Sequence, residues 1–307
     1  MEIWKAIIVG IVQGLAEFLP VSSSGHIVLT QYLLGMRVEG AEHQPDLAFE
    51  IILHLGTLVS VLLFFRKSLW KLVQSLYTKD MAEERKMILL LGVATVPAVI
   101  AALLFKDFFD AVPGNPFLVS SFLIVTGLIL FVPRLLKGAS NAVGWKSSVI
   151  MGIGQAFAIL PGVSRSGSTI AAGLVSGVKA EKAAEFSFLM SIPAIAGGFV
   201  LTMKDKAEFV EMQIFDTYIE TGVIDSAVTG VNKAKEGVEQ LDFDKLTVLG
   251  RAFSACFNPA YLAGAVAAAI VGLLAIYLVM GVVKKGKLEY FSYYCFVAAI
   301  AGMIYFG

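Results

Sequence analysis

The sequence predicts an all-α polytopic membrane protein, an inverted repeat of two halves in which each half is a re-entrant helix hairpin plus three transmembrane helices. Three observations predict it. Hydrophobic residues make up 57% of the 307 residues and charged residues only 16%, with a mean hydropathy of +0.80, which leaves too little polar surface to cover a water-soluble core. Two polar stretches, 13–26 and 155–169, interrupt the apolar background and are copies of one another. Laid in register without a gap, Gly10, Ile11, Gln13, Ala16, Val21, Ser22, Ser24 and Gly25 fall on Gly152, Ile153, Gln155, Ala158, Val163, Ser164, Ser166 and Gly167. Finally, three longer apolar runs follow each copy, and an odd number of crossings per half inserts the second half upside down relative to the first.

Taken in order, residues 3–18 are apolar but shorter than the roughly 20 needed to cross a bilayer, and they stop at Pro20. The second arm, 27–34, is shorter still, so 3–34 reads as a hairpin that enters and leaves on one side. Its break must be buried in protein or line a wet cavity, because unpaired backbone is not tolerated in lipid. The stretch carries Gln13 and Glu17 and lacks a small-residue cleavage site, so it does not read as a signal peptide. Full spans are expected at about 47–65, 87–105 and 117–132, with a strongly basic loop between the first two. The second hairpin occupies 149–178, breaking at Pro161 and Gly162, and spans follow at about 183–203, 261–280 and 290–306. The halves are thus 1–135 and 146–307, the latter interrupted by a polar, acidic insertion, 204–257, whose spaced valines suggest amphipathic helices on the outer surface.

This topology puts Arg66, Lys67, Lys71, Lys79, Arg85, Lys86, Arg134, Lys137, Lys146, Lys179, Lys182, Lys284, Lys285 and Lys287 on one side, against Lys5, Arg37 and Lys106 in short loops on the other. By the positive-inside rule both termini and the mouth of the first hairpin face outward. The balanced charge, 24 basic and 24 acidic residues, therefore carries no message of its own. Cys256 and Cys295 make no disulfide framework and read as packing residues.

The chemistry sits in the two breaks. Gln13 and Glu17 are four apart and share a helix face. A carboxylate at this depth is costly and marks a functional position: a general base, a metal ligand or the partner of a buried cation. A divalent ion held by Glu17 and Gln13 would be hard, Mg²⁺ or Ca²⁺, because no thiolate or histidine cluster accompanies them. Ser22, Ser23 and Ser24, with Gly25, bring hydroxyls and successive amides to a helix start, a ready anion site. Helix capping alone would use one serine. His26 can exchange a proton near neutral pH or attack phosphorus directly. In the second break Arg165 offers a fork of donors matched to phosphate oxygens, with Ser164, Ser166, Gly167 and Thr169 as neutral donors. A structural Arg165–Glu17 ion pair is the plain alternative. His54 and Glu50, four apart in the first span, are weaker candidates, and His43 reads as a solvated loop residue.

Two stretches, QGLAEFLPVSSSGH and LPGVSRSGST, resemble the signature motifs of the bacitracin-resistance type undecaprenyl-pyrophosphate phosphatases. The first motif matches at Gln13, Glu17 and His26, the second at Pro161, Gly162, Ser164, Arg165, Ser166 and Thr169. The span pattern is similar over nearly the whole chain, the insertion excepted. The resemblance implies hydrolysis of a polyprenyl pyrophosphate to the monophosphate, recycling the lipid carrier of cell-wall synthesis at a prokaryotic plasma membrane. Implied with it are a divalent cation, a polyprenyl pyrophosphate and the membrane as partners, room for a homodimer, and no nucleic acid. Three nucleophiles are compatible: Ser23 or Ser22 helped by His26 or Glu17, His26 itself, or a metal-bound water. The other class of function is a secondary transporter or flippase of a lipid phosphate, since broken helices in inverted repeats are its customary architecture. Such carriage would need no nucleophile.

Overall fold

A computed structural model describes residues 1–36, 47–105, 108–109, 112–135, 141–220 and 258–307. These residues are helical, joined by short turns and one isolated β-bridge between Asn141 and Val178. The helices are α1 (Ile3–Phe18), α2 (Ser23–Leu33), α3 (Leu47–Phe64), α4 (Arg66–Ser75), α5 (Ala82–Leu104), α6 (Pro116–Phe131), α7 (Trp145–Phe157), α8 (Arg165–Val175), α9 (Ala180–Glu220), α10 (Pro259–Lys284) and α11 (Glu289–Phe306).

Both short-armed hairpins form. Helix α1 ends because Pro20 removes a donor and forces Leu19 into extended backbone, φ −62° and ψ 136°. Helix α2 restarts on Ser22, whose hydroxyl accepts from the Gly25 amide at 3.3 Å. In the second hairpin Ser164 caps α8 in the same way, accepting from the Gly167 amide at 3.0 Å. Here the chain turns at Gly162 with φ +99°, and an added Cβ would stand 2.6 Å from the Phe122 Cβ. Only glycine satisfies both the backbone and the space. Thr126 of α6 then pins the turn, donating to the Gly162 carbonyl at 2.7 Å and accepting from the Ser164 amide at 2.9 Å.

Among the described residues four helices are long and apolar enough to cross a membrane: α5, α6 with the 3₁₀ turn that extends it to Leu135, the first part of α9, and α10. The bent pair α3 and α4 would make a fifth. The sixth expected span is present as α11, 18 residues long, but Glu289 and its tyrosines keep it below that class. Two elements differ from expectation. The basic loop after the first span is helix α4, turned 78° from α3, with Leu69 packed toward the core and Trp70 exposed. The fourth expected span does not stop near residue 203 but continues to Glu220 as one 41-residue helix. The remainder of the expected insertion, 221–257, lies outside the described residues, as do Cys256, His43, Arg37 and Lys106.

The packing pairs helices that lie far apart in the sequence. Helix α1 packs along α10, α7 along α5, and α6 along α11. The largest apolar cluster joins Phe18 of α1, Val61 of α3, Ile170 of α8, Phe188 of α9 and Ile276 of α10. Its burial fixes the hairpin arms on the long helices. Cys295 is buried in a smaller cluster with Ala16, Val21 and Leu130, as its packing role requires.

Candidate active site

The two breaks touch. A Cβ placed on Gly25 would lie 3.1 Å from the Gly162 Cα, so the start of α2 and the turn before α8 are in backbone contact. Beside this contact a cavity of about 270 Å³ opens. Glu17, Ser23, Ser24, His54 and Arg165 give it its polar wall, and Ile51, Ala194 and Ile195 are among the apolar residues opposite.

Glu17 is the centre of the polar wall. One carboxylate oxygen, Oε1, is ion-paired and hydrogen-bonded to the Arg165 guanidinium. The other, Oε2, accepts from the Ser23 hydroxyl at 2.6 Å and from Gln13 Nε2 at 3.2 Å. The carboxylate is almost wholly buried, its side chain 3% exposed against 19% for Arg165. A buried carboxylate is tolerated only when paired and hydrogen-bonded, and here both oxygens are occupied. Gln13 also donates to Thr57 of α3 at 3.4 Å, while its Oε1 is buried with no hydrogen-bond partner.

The other expected site residues divide by the way their helices turn them. Ser24 lines the cavity, and its hydroxyl is 3.4 Å from that of Ser22. Ser22 itself caps α2 in a left-handed conformation, φ +72°. Ser164 caps α8 and lies 3.3 Å from the Ser166 hydroxyl. Ser166 in turn donates to the Leu19 carbonyl at 3.3 Å, tying the second break to the end of α1. The Thr169 hydroxyl meets Ser187 of α9 at 2.6 Å, a contact that anchors α8 rather than facing the cavity. Gly25 supplies the close backbone approach to Gly162, and both Gly25 and Gly167 supply the capped amides. His26 is directed to α11: Nδ1 donates to the Ser22 carbonyl at 2.8 Å, and Nε2 meets the Tyr294 hydroxyl at 2.8 Å with the two rings stacked.

His54 is the histidine that enters the cavity. Its Nε2 stands 3.6 Å from Glu17 Oε2. The signal for it in the sequence was weak but present: Glu50, His54 and Thr57 repeat at three- and four-residue spacing and so mark one polar face of an otherwise apolar helix. Among the described residues no group of three or more His, Cys, Asp or Glu side chains could hold a metal ion. Any divalent ion here would need an amide oxygen as well. The Gln13 amide beside Glu17 fits that need once it is turned over to present its orphaned Oε1, since hard cations take carboxylate and carbonyl oxygens together.

Chemically, the cavity joins a hydroxyl on a carboxylate, a guanidinium, and two serine-capped helix starts whose free amides and dipoles favour an anion. Comparison with known proteins agrees with this construction. A family model described as "Bacitracin resistance protein BacA" matches residues 6–301. An undecaprenyl-diphosphatase of Methanobrevibacter smithii is 36% identical over 98% of this chain and 96% of its own length. One from Syntrophotalea carbinolica is 35% identical over 99% and 98%, and an undecaprenyl-diphosphatase 2 of Bacillus thuringiensis 32% identical over 99% and 97%. With both breaks, the helices between them and the cavity residues inside the matched range, the chain belongs to the bacitracin resistance protein BacA family.

Proposed function

We propose that this protein hydrolyses undecaprenyl, or a similar polyprenyl, pyrophosphate to the monophosphate and inorganic phosphate, within a prokaryotic plasma membrane. The observation that carries the reading is the Ser23 hydroxyl 2.6 Å from a buried carboxylate whose other oxygen holds Arg165. A binding or transport site needs the cation but not a hydroxyl with a base on it. The name undecaprenyl-diphosphatase, borne by the relatives, supplies the substrate class.

In this mechanism the pyrophosphate enters against the starts of α2 and α8, where Arg165 turns its fork from Glu17 to the phosphate oxygens. Ser23 Oγ attacks the terminal phosphorus and passes its proton to Glu17. The P–O bond to the lipid phosphate breaks, Glu17 hands the proton to the departing oxygen, and polyprenyl monophosphate leaves. Water then attacks the phosphoserine with the freed Glu17 carboxylate taking its proton, and as the Ser23 Oγ–P bond breaks that proton passes to Oγ, releasing phosphate and restoring the serine. Arg165 and the capped amides offset the charge that develops on the transferred group. Glu17 and Gln13 Oε1 are the residues that would hold a Mg²⁺ or Ca²⁺ ion, which would neutralise phosphate charge. His26 acts at one remove, holding the Ser22 carbonyl and so the turn that presents Ser23.

The inverted repeat belongs to the same proposal. It is supported by the exchange of partners, in which the first arm of each hairpin lies on the middle span of the other half. Both termini and the cavity mouth then face outward. Phosphate release from a long-chain polyprenyl pyrophosphate by purified protein, with and without Mg²⁺ or Ca²⁺ and beside Arg165→Ala, tests the function. Release that needs metal and Arg165 is the expected result. Tight Arg165-dependent binding of the lipid without release would overturn it in favour of carriage.

A further inference from the structure

We propose that His54 supplies a nitrogen donor to the divalent cation held by Glu17 and Gln13, and that it widens the site's choice of ion beyond Mg²⁺ and Ca²⁺ towards Mn²⁺ and Co²⁺. This rests on reading the cavity as a metal-assisted hydrolase site. The first support is the tautomer. His54 Nδ1 lies 2.7 Å from the Glu50 carbonyl oxygen, which can only accept, so Nδ1 carries a proton and Nε2 is the atom turned toward Glu17. A backbone carbonyl accepting from one ring nitrogen, with the other left to face the ion, is how metal-bound histidines are held.

The second support is distance. The 3.6 Å between Nε2 and Glu17 Oε2 is longer than a charge-assisted hydrogen bond, about 2.7–2.9 Å. It is close to the roughly 3.4 Å that separates two ligands about 2.1 Å from a common ion at a tetrahedral angle. An unprotonated Nε2 facing a carboxylate oxygen at this range is repelled by it unless a positive centre lies between them.

The third support is independent of His54. Gln13 Oε1 is buried without a partner, and the Gln13 amide sits against both Glu17 and Thr57. Thr57 donates to the His54 carbonyl of its own helix at 2.9 Å, and the Gln13–Thr57 contact registers α3 against α1. A half-turn of the Gln13 amide exchanges its oxygen and nitrogen and brings Oε1 to the carboxylate, giving up the hydrogen bonds that Nε2 donates to Glu17 and Thr57, an exchange that a cation at this point offsets. Three donors, two oxygens from α1 and one nitrogen from α3, then stand together beside the cavity that Ser23 and Arg165 line. An imidazole in the set favours transition ions, whereas an all-oxygen set favours Mg²⁺ and Ca²⁺.

The test is a metal titration of detergent-purified, chelator-stripped protein, with Co²⁺ followed by its visible ligand-field bands and Ca²⁺ by competition. The wild type is compared with His54→Gln and Glu17→Gln. Expected for His54→Gln is a Co²⁺ affinity lower by about tenfold or more with altered bands, and Ca²⁺ binding within about twofold of wild type. Glu17→Gln weakens both ions. Unchanged Co²⁺ affinity and bands in His54→Gln overturn the proposal. Pulsed EPR of Mn²⁺ on the wild type guards against a variant that misfolds: directly bound imidazole nitrogen is expected, and its absence overturns the proposal equally. Phosphate release is measured in parallel. A wild type that binds Co²⁺ through nitrogen yet cleaves no polyprenyl pyrophosphate with any ion refutes the hydrolase reading and leaves the ligand assignment standing.

Discussion

Ser22 and Ser23 are neighbours of one type, yet their hydroxyls do different things. Ser22 spends its oxygen on the Gly25 amide, while Ser23, about 100° further round the helix start, reaches Glu17. Replacing Ser23 by Ala should lower phosphate release by about three orders of magnitude or more. Ser22→Ala should cost about 1 kcal/mol of stability, the worth of a cap, with a smaller loss of rate. Turnover and thermal unfolding of the two variants side by side check this, and equal losses of rate would remove the distinction. The Arg165–Glu17 pair gives a second prediction. Arg165→Ala leaves a buried carboxylate unpaired and should lower stability by about 3 kcal/mol. Adding Glu17→Gln should recover part of that stability but none of the activity, measured by unfolding and phosphate release on the double variant. The sequence shows the residue types of this site because a carboxylate and a guanidinium have no reason to lie in apolar helices unless they are used. It could not show which serine or which histidine faces the cavity. His26 drew notice by standing next to the serine run, but α2 turns it to Tyr294. His54, distant in sequence, arrives only through the packing of α3.

At the scale of elements, the breaks were the most readable features, because proline and glycine act on the backbone locally wherever they occur. Pro20 ends α1 and Gly162 turns the chain before α8. What holds the second turn was not readable: Thr126 comes from α6, with nothing in its own neighbourhood to mark it. Thr126→Val keeps the shape and leaves the Gly162 carbonyl and Ser164 amide without their partner. It should lower stability by about 2–5 kcal/mol and, by loosening α8, raise KM for the pyrophosphate more than it lowers kcat. Unfolding in detergent and steady-state kinetics check both parts. Helix α4 was hidden for another reason. Its basic residues read as a loop, although Leu69 and Val73, four apart, give one apolar stripe beside them. Likewise the acidic residues past Met203 suggested that the span ended, but helix propensity does not require an apolar face and α9 runs on.

The whole molecule depends on two short hairpins being held by helices distant in sequence, α1 by α10 and α7 by α5. Neither hairpin can bury its own polar break, since each arm is too short to shield it, so each completes its packing only when those distant helices are in place. This couples folding of the whole chain to formation of the site: Glu17 arrives on one hairpin and Arg165 on the other. The repeat in the sequence pointed to two related halves, whereas the exchange of partners is a tertiary fact that no local pattern carries. Orientation follows from the proposed topology and can be checked without substrate. With both termini outside, alkaline phosphatase fused after Gly307 should be active and a fluorescent protein fused there dark. Fusions after Leu135, in the link between the halves, should show the reverse, because Arg134 and the basic loops flank that side. The same reporter result at both points would mean that the halves share one orientation. The inverted repeat would then be wrong, and the contact of the two breaks would need a different arrangement of crossings to bring Arg165 to Glu17.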